Sequence, residues 1–203
     1  GLTETSPVTN WRMPEEDKYG SVGRAVDELL ERIVGEDEVE LGTGEDGEIR
    51  LKGPNVMRGY YNMPEETTAV FDELGFFKTG DMGKIDEDGF LYITGRIKEM
   101  LIIAGENVFP REIEEALTDH PDVLAAGVVS RIDESRGEVA VAFIELNEGA
   151  TFDEQKLRSW CRERIAPFKV PKTITVLSEL PRNPTGKIMR RELTKLVVSE
   201  LSQ

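Results

Sequence analysis

The stretch Phe90-Leu91-Tyr92-Ile93-Thr94-Gly95-Arg96-Ile97-Lys98, running on to Gly105-Glu106-Asn107-Val108-Phe109-Pro110, is where this 203-residue chain changes texture. Residues 1–96, which end inside it, read as β. Glu48 to Lys52 alternates, with Ile49 and Leu51 on one face. Phe76-Phe77 and Phe90 to Ile93 are further strands, and Asp86-Glu87-Asp88-Gly89 between them has the composition of a hairpin turn. Helices in this half read as short; the best runs from Glu65 to Phe71 and is opened by Pro64. Residues 97–203 mix types. Pro110 stands at the first turn of a helix reaching Leu117. Val123 to Ser130, Val139 to Leu146 and Thr173 to Leu177 read as strands. Thr151 with Glu154 forms a capping-box pattern for a helix through Ile165. On that helix Leu157, Trp160, Cys161 and Ile165 share a face. A last helix starts near Arg190. The fold class expected is α+β: a β-rich subdomain over 1–96 and a small mixed α+β domain over 97–203, with the boundary near Arg96–Lys98.

Composition narrows the function classes. Hydrophobic residues are 38% and charged residues 32%, as in soluble globular proteins. The net charge is -15, divided as -12 over residues 1–96 and -3 over 97–203. Such a surface repels nucleic acid, whose binding rests on neutralising phosphates. A single cysteine, Cys161, excludes an internal disulfide, and one histidine beside it makes a zinc site unlikely on ligand count. No apolar run approaches the ~20 residues of a membrane span, and Gly1 to Asn10 has no secretory pattern. The localisation expected is cytoplasmic, with peripheral membrane association compatible with it.

Three nucleotide or metal motifs fail their context. Gly42-Thr43-Gly44-Glu45-Asp46-Gly47 matches a dinucleotide-binding pattern by letter, yet it precedes a strand instead of opening a helix. Asp86 to Gly89 resembles a calcium loop, but its glycine falls at the fourth position and Ile97 stands where a bidentate glutamate belongs. Gly186-Lys187 is preceded by Pro181 where a phosphate-binding loop needs its first glycine. His120, before Pro121, reads as a helix end. Cys161 reads as a core residue. Arg158, Arg162, Arg164 and Lys169 read as a solvated face, the alternative being contact with phosphates of a ligand.

Four strings remain: Gly1-Leu2-Thr3-Glu4-Thr5-Ser6-Pro7; Thr79-Gly80-Asp81; Gly95-Arg96-Ile97-Lys98 with Gly105 to Pro110; and Pro184-Thr185-Gly186-Lys187. Gly59-Tyr60-Tyr61 lies between the first two. Each string alone is also an ordinary turn. In this order they resemble the adenylate-forming superfamily: acyl-CoA synthetases, peptide-synthetase adenylation domains and luciferases. The resemblance implies an acid–thiol ligase that activates a carboxylic acid with ATP and passes the acyl group to CoA. It implies that Thr3 donates its hydroxyl to the AMP phosphate and that Glu4 is the Mg²⁺ ligand. Asp81 would accept the ribose hydroxyls, with Arg96 reaching ribose or phosphate. Lys187 would be the catalytic cation at the α-phosphate. Lys98 would be the hinge of a mobile C-terminal domain, and Gly105 and Glu106 would line the CoA tunnel.

The family's N-terminal phosphate loop and most of its acyl pocket have no counterpart in this sequence. The chain therefore looks like the last portion of a longer enzyme, and the expectation is that it does not adenylate alone. Gly105 to Ile113 is similar to the CoA-ligase branch, and Glu4-Thr5-Ser6-Pro7 to fatty-acid and luciferase-like members, which points to a fatty acid. The alternatives are an adenylase loading an acyl carrier protein and a non-catalytic binding module. The partners implied are small molecules (a carboxylic acid, ATP and CoA) and the N-terminal part of the same enzyme; the oligomeric state is unknown.

Overall fold

The computed structural model describes residues 1–16, 18–133 and 137–200. It is mixed α+β and separates into two compact units, Gly1–Lys98 and Glu99 onward.

The first unit is built on a four-stranded antiparallel sheet. Its strands are β3 (Leu30–Val34), β4 (Gly47–Lys52), β5 (Phe77–Ile85) and β6 (Leu91–Arg96), side by side in that order. Two short strands, β1 (Asn10–Trp11) and β2 (Arg24–Ala25), pair beside it, and α1 (Pro64–Ala69) opens on its proline. Leu29, Ile33, Ile49, Leu51 and Leu91 form the core on one face. The turn at Asp86–Gly89 closes β5 onto β6: Asp86 Oδ1 accepts the Phe90 N–H, and Gly89 takes φ +81°. The segment Gly42 to Asp46 is the turn leading into β4.

The other face of this sheet departs from the alternation read in the sequence. Arg50 is as buried as its neighbours Ile49 and Leu51. Its guanidinium meets Glu38 at 2.5 and 2.8 Å, Glu48 Oε2 at 2.9 Å and Asp72 Oδ2 at 3.2 Å. Arg32 also pairs with Asp72 and stacks on the Phe76 ring at 4.1 Å. Charge pairing thus covers a face that binary patterning assigns to solvent.

The second unit sandwiches a five-stranded sheet between helices. Its central strand β10 (Gly137–Leu146) pairs antiparallel with β9 (Val123–Asp133) and parallel with β11 (Thr173–Val176), and touches β7 (Leu101–Ile103) at Gly137. β8 (Glu106–Val108) follows on β7. On one face Ala140, Ala142 and Ile144 pack under α2 (Pro110–Thr118) and α3 (Glu154–Arg162). On the other, Val141 and Phe143 pack under Leu193 and Val197 of α4 (Arg190–Glu200). Burial on both faces explains the continuous apolar run of β10.

Two local expectations are corrected. The cap of α3 is Asp153, whose Oδ1 accepts the Lys156 N–H at 3.0 Å; Thr151 lies two residues too early. Asp153 wins because the helix starts at Glu154, which puts the N3 amide within reach of its short carboxylate. The second is the β7–β8 hairpin, where no strand was read. Its two-residue turn, Ala104-Gly105, has φ +55° and +84°. Positive φ at both positions defines the turn that matches strand twist, so Gly105 has a backbone reason to be glycine.

Candidate functional site

Asp81 sits just after a distortion in β5. Between the pairs Glu48↔Met82 and Arg50↔Lys78, β5 carries two more residues than β4. The excess is taken up at Thr79-Gly80-Asp81, where Gly80 adopts φ +68°. Thr79 fastens this bulge: its hydroxyl donates to the Ile49 carbonyl at 2.7 Å and accepts the Asp81 N–H at 3.0 Å. On the β6 side the register shifts between Met82 and Gly83, where β6 carries one extra residue, Thr94; this sets Asp81 opposite Arg96, and Arg96 Nε donates to Asp81 Oδ1 at 2.7 Å. The structure therefore brings together two residues that are 15 positions apart in sequence. Asp81 and Thr79 line a cavity of about 40 Å³ that also meets Gly1 and Leu2.

Thr3 and Glu4 lie on a single helical turn, Thr3–Thr5, that begins immediately after Leu2. Thr5 is fully buried and anchors it, its hydroxyl donating to the Leu2 carbonyl at 2.9 Å. Thr3 is thereby left exposed and Glu4 half-buried. The Tyr60 hydroxyl donates to Glu4 Oε1 at 3.1 Å, and the Met57 N–H donates to the Glu4 carbonyl at 2.7 Å. Burial, then the Glu4 carboxylate, raise the Tyr60 phenol, so it stays protonated and a donor. Glu4 offers one hard oxygen ligand. Among the described residues no group of three or more His, Cys, Asp or Glu forms a metal cage. That donor set fits Mg²⁺, which takes one or two protein carboxylates and completes its shell with phosphate oxygens and water.

Glu31 of β3 lines the same cavity as Asp81 and was not singled out in the sequence. Nothing in the strand Leu30–Val34 marks it. Its Oε1 is buried with no hydrogen-bond partner, and burial pushes the carboxyl up to about 7, the Asn10 amide offsetting only part of that. A raised acid pKa favours the protonated folded state. Stability is therefore greatest below the unfolded value of 4.5 and falls as pH rises towards 7, after which the loss is complete. Glu31→Gln is expected to stabilise the first unit by on the order of 2–3 kcal/mol at pH 8 and by much less at pH 5. Thermal unfolding at the two pH values checks this; equal shifts at both would contradict it.

In the second unit the Lys187 turn is an exposed arm clamped at its base. Glu145 of β10 accepts the Leu180 N–H and, at 2.9 Å, the Arg182 guanidinium. Asn183 organises the turn: its Oδ1 accepts the N–H of Thr185 at 3.1 Å and of Lys187 at 2.8 Å. Lys187 itself is exposed, and among the described residues no carboxylate lies within salt-bridge distance of it. Beyond the turn, Arg190 donates to Glu99 at 2.5 Å and to Glu114 at 2.7 Å, and Glu114 also accepts the Val128 N–H. Burial raises the Glu114 carboxyl, with Arg190 opposing.

Lys98 is exposed and closes the first unit, within the helical turn Ile97–Glu99. Gly105 and Glu106 are exposed on the β7–β8 hairpin, and no hydrogen bond or ion pair links them to Lys187 among the described residues. Of Arg158, Arg162, Arg164 and Lys169, three have internal partners: Arg158 donates to the Lys172 carbonyl, Arg164 stacks over Trp160 at 3.3 Å, and Lys169 pairs with Glu112. His120 is buried after α2 with its ring 4.9 Å from Trp160, and burial pushes the Cys161 thiol up to about 11. No described helix is long and apolar enough to cross a membrane.

Comparison with known proteins adds an independent line. The family model described as AMP-binding enzyme matches residues 1–61, and that of the AMP-binding enzyme C-terminal domain matches residues 112–187. The chain is 44% identical over 199 residues to a 2-succinylbenzoate–CoA ligase of Geobacillus kaustophilus, covering 97% of this chain and 40% of that protein. It is 44% identical over 198 residues to a long-chain-fatty-acid–CoA ligase of Bacillus subtilis, covering 95% and 35%. Among solved structures it resembles ATP-bound MatB from Rhodopseudomonas palustris, with a TM-score of 0.88, 37% identity and coverage of 97% and 39%. It also resembles the o-succinylbenzoate CoA synthetase MenE of Bacillus subtilis in complex with its acyl-adenylate intermediate, with a TM-score of 0.86, 37% identity and coverage of 95% and 40%. The chain spans about two fifths of the length of these relatives.

Proposed function

Because this chain belongs to the AMP-binding, adenylate-forming enzyme family, we propose that it is the closing β subdomain and mobile C-terminal domain of an AMP-forming acid–thiol ligase. It acts with a segment equivalent to the other three fifths of its relatives. In the first half-reaction a carboxylate oxygen of the acid attacks the α-phosphorus of ATP, and pyrophosphate leaves. In the second, the thiolate of CoA attacks the acyl carbon and AMP leaves.

The observation that carries this reading is the Asp81–Arg96 pair at the cavity edge, 2.7 Å apart on adjacent strands. A carboxylate oriented by a guanidinium can accept ribose hydroxyls through short charge-assisted hydrogen bonds. Thr3, exposed on the turn beside that cavity, donates its hydroxyl to the α-phosphate. Glu4, held by Tyr60, would hold Mg²⁺, whose charge would offset that of the phosphates. Lys187 brings a cation on an exposed arm to the phosphoryl centre. Lys98, exposed at the boundary of the units, absorbs the rotation between half-reactions, and the hairpin bearing Gly105 and Glu106 lines the path of the pantetheine thiol. The acid is taken as a fatty acid, a reading supported by the Glu4-Thr5-Ser6-Pro7 string and by the fatty-acid ligase among the relatives; turnover across a panel of acids checks it.

The role of Asp81 has a direct test. In the ligase containing this chain, Asp81→Ala is expected to raise KM for ATP at least about tenfold, from loss of charged hydrogen bonds, while KM for CoA changes little. A parallel rise in both would remove Asp81 from the nucleotide site. The 203-residue chain alone is expected to give no ATP–pyrophosphate exchange; steady exchange would refute the division of labour proposed here.

A further inference from the structure

The bulge that presents Asp81 is held from two sides. Thr79 supplies one side. The other is Glu48 of β4, whose carboxylate divides its two oxygens: Oε2 accepts Arg50 Nε at 2.9 Å, and Oε1 accepts the Gly80 N–H at 3.2 Å. Gly80 is the residue at positive φ, so its amide points where no ladder partner exists, and a side chain must satisfy it. Glu48 can hold that position because it is itself held. Its side chain is 13% exposed, and its partner Arg50 is 3% exposed and locked by Glu38 and Asp72.

We propose that Glu48 is a positioning residue for Asp81: its carboxylate fixes the Gly80 amide, and so the bulge that aims the Asp81 carboxylate for ribose recognition. The proposal rests on the reading of Asp81 given above. Glu48 touches no substrate. It acts through a backbone amide one residue away, and the rigidity of the contact comes from the buried ion network behind it. Two acceptor oxygens are required at once, one for a guanidinium and one for an amide. A glutamine has one oxygen to offer, Arg50 competes for it, and the NH₂ group then faces the Gly80 N–H.

The experiment measures, in the ligase containing this chain, the ratio of kcat/KM for ATP to that for 2′-deoxy-ATP. A ribose-positioning residue moves this ratio; a merely structural one lowers both values together. Glu48→Gln is expected to lower the ratio by about fivefold to tenfold, the loss of one hydrogen bond that orients a recognition group, with KM for the acid and for CoA unchanged. Glu48→Asp keeps the charge beside Arg50 but withdraws the oxygen from Gly80, and the same fall in the ratio is expected. This second variant decides the matter if the glutamine variant does not fold. Asp81→Ala is run alongside. If it abolishes ribose discrimination while both Glu48 variants keep the ratio within twofold, or lower both substrates equally, the positioning role is overturned and the reading of Asp81 stands. If Asp81→Ala leaves the ratio intact, the reading of Asp81 is wrong and the positioning role falls with it.

Discussion

Lys187→Ala in the ligase proposed to contain this chain is expected to slow acyl-adenylate formation by about 10²–10³-fold, or roughly 3–4 kcal/mol of barrier, by analogy with loss of one oxyanion-hole donor. Thioester formation from supplied acyl-adenylate should change by less than a few fold. The asymmetry follows from chemistry and placement. Joining a carboxylate to the α-phosphate crowds negative charge on one centre, whereas thiol attack on an acyl carbon does not need a cation at phosphorus. Lys187 is suited to a transient role, since it is exposed, without a carboxylate in reach among the described residues, and carried on a turn organised by Asn183. Pre-steady-state measurement of pyrophosphate release and of thioester formation separates the two steps. Equal loss in both would remove Lys187 from the chemistry and leave it a structural role.

Arg50→Met is expected to destabilise the first unit by about 3–5 kcal/mol, the range for breaking a buried ion pair from one side. Methionine fills much of the volume but leaves Glu48 and Asp72, whose side chains are 13% and 7% exposed, without their shared cation. Glu38 is largely exposed and adds little. Burial alone would raise the Asp72 carboxyl, but the Phe76 N–H, Arg32 and Arg50 together hold it below the usual range. The sign follows: stabilisation from Asp72 is present above its unfolded value and is lost as pH falls through the folded one. Removing Arg50 should therefore also move the acid-unfolding midpoint to higher pH. Hydrogen exchange resolved by segment is the measurement of choice, with protection falling in β3 to β6 and not in β9 to β11. Uniform loss across both units would mean that the network stabilises something other than this sheet.

Strong local signals in the sequence were reliable guides. Pro110 and Pro64 open their helices, and Asp86 to Gly89 turns a hairpin because its side chains satisfy its own backbone. Signals depending on partners far along the chain were not legible. Arg50 alternates with Ile49 and Leu51 and so reads as solvent-facing; only the folded positions of Glu38, 12 residues earlier, and Asp72, 22 residues later, make its burial tolerable. Asp81 and Arg96 were each singled out by resemblance, but their contact depends on a β5–β6 register shift between Met82 and Gly83 that periodicity does not report. The β7–β8 hairpin escaped notice because its strands are three residues long and one of its two left-handed residues is alanine.

The double grip of Arg190 on Glu99 and Glu114 has a mechanical corollary. One guanidinium fastens the first residue of the second unit, a helix of that unit and the segment just past the lysine arm. On the proposal that Lys98 is the hinge, the rotation that carries the arm would fall on the backbone before Glu99.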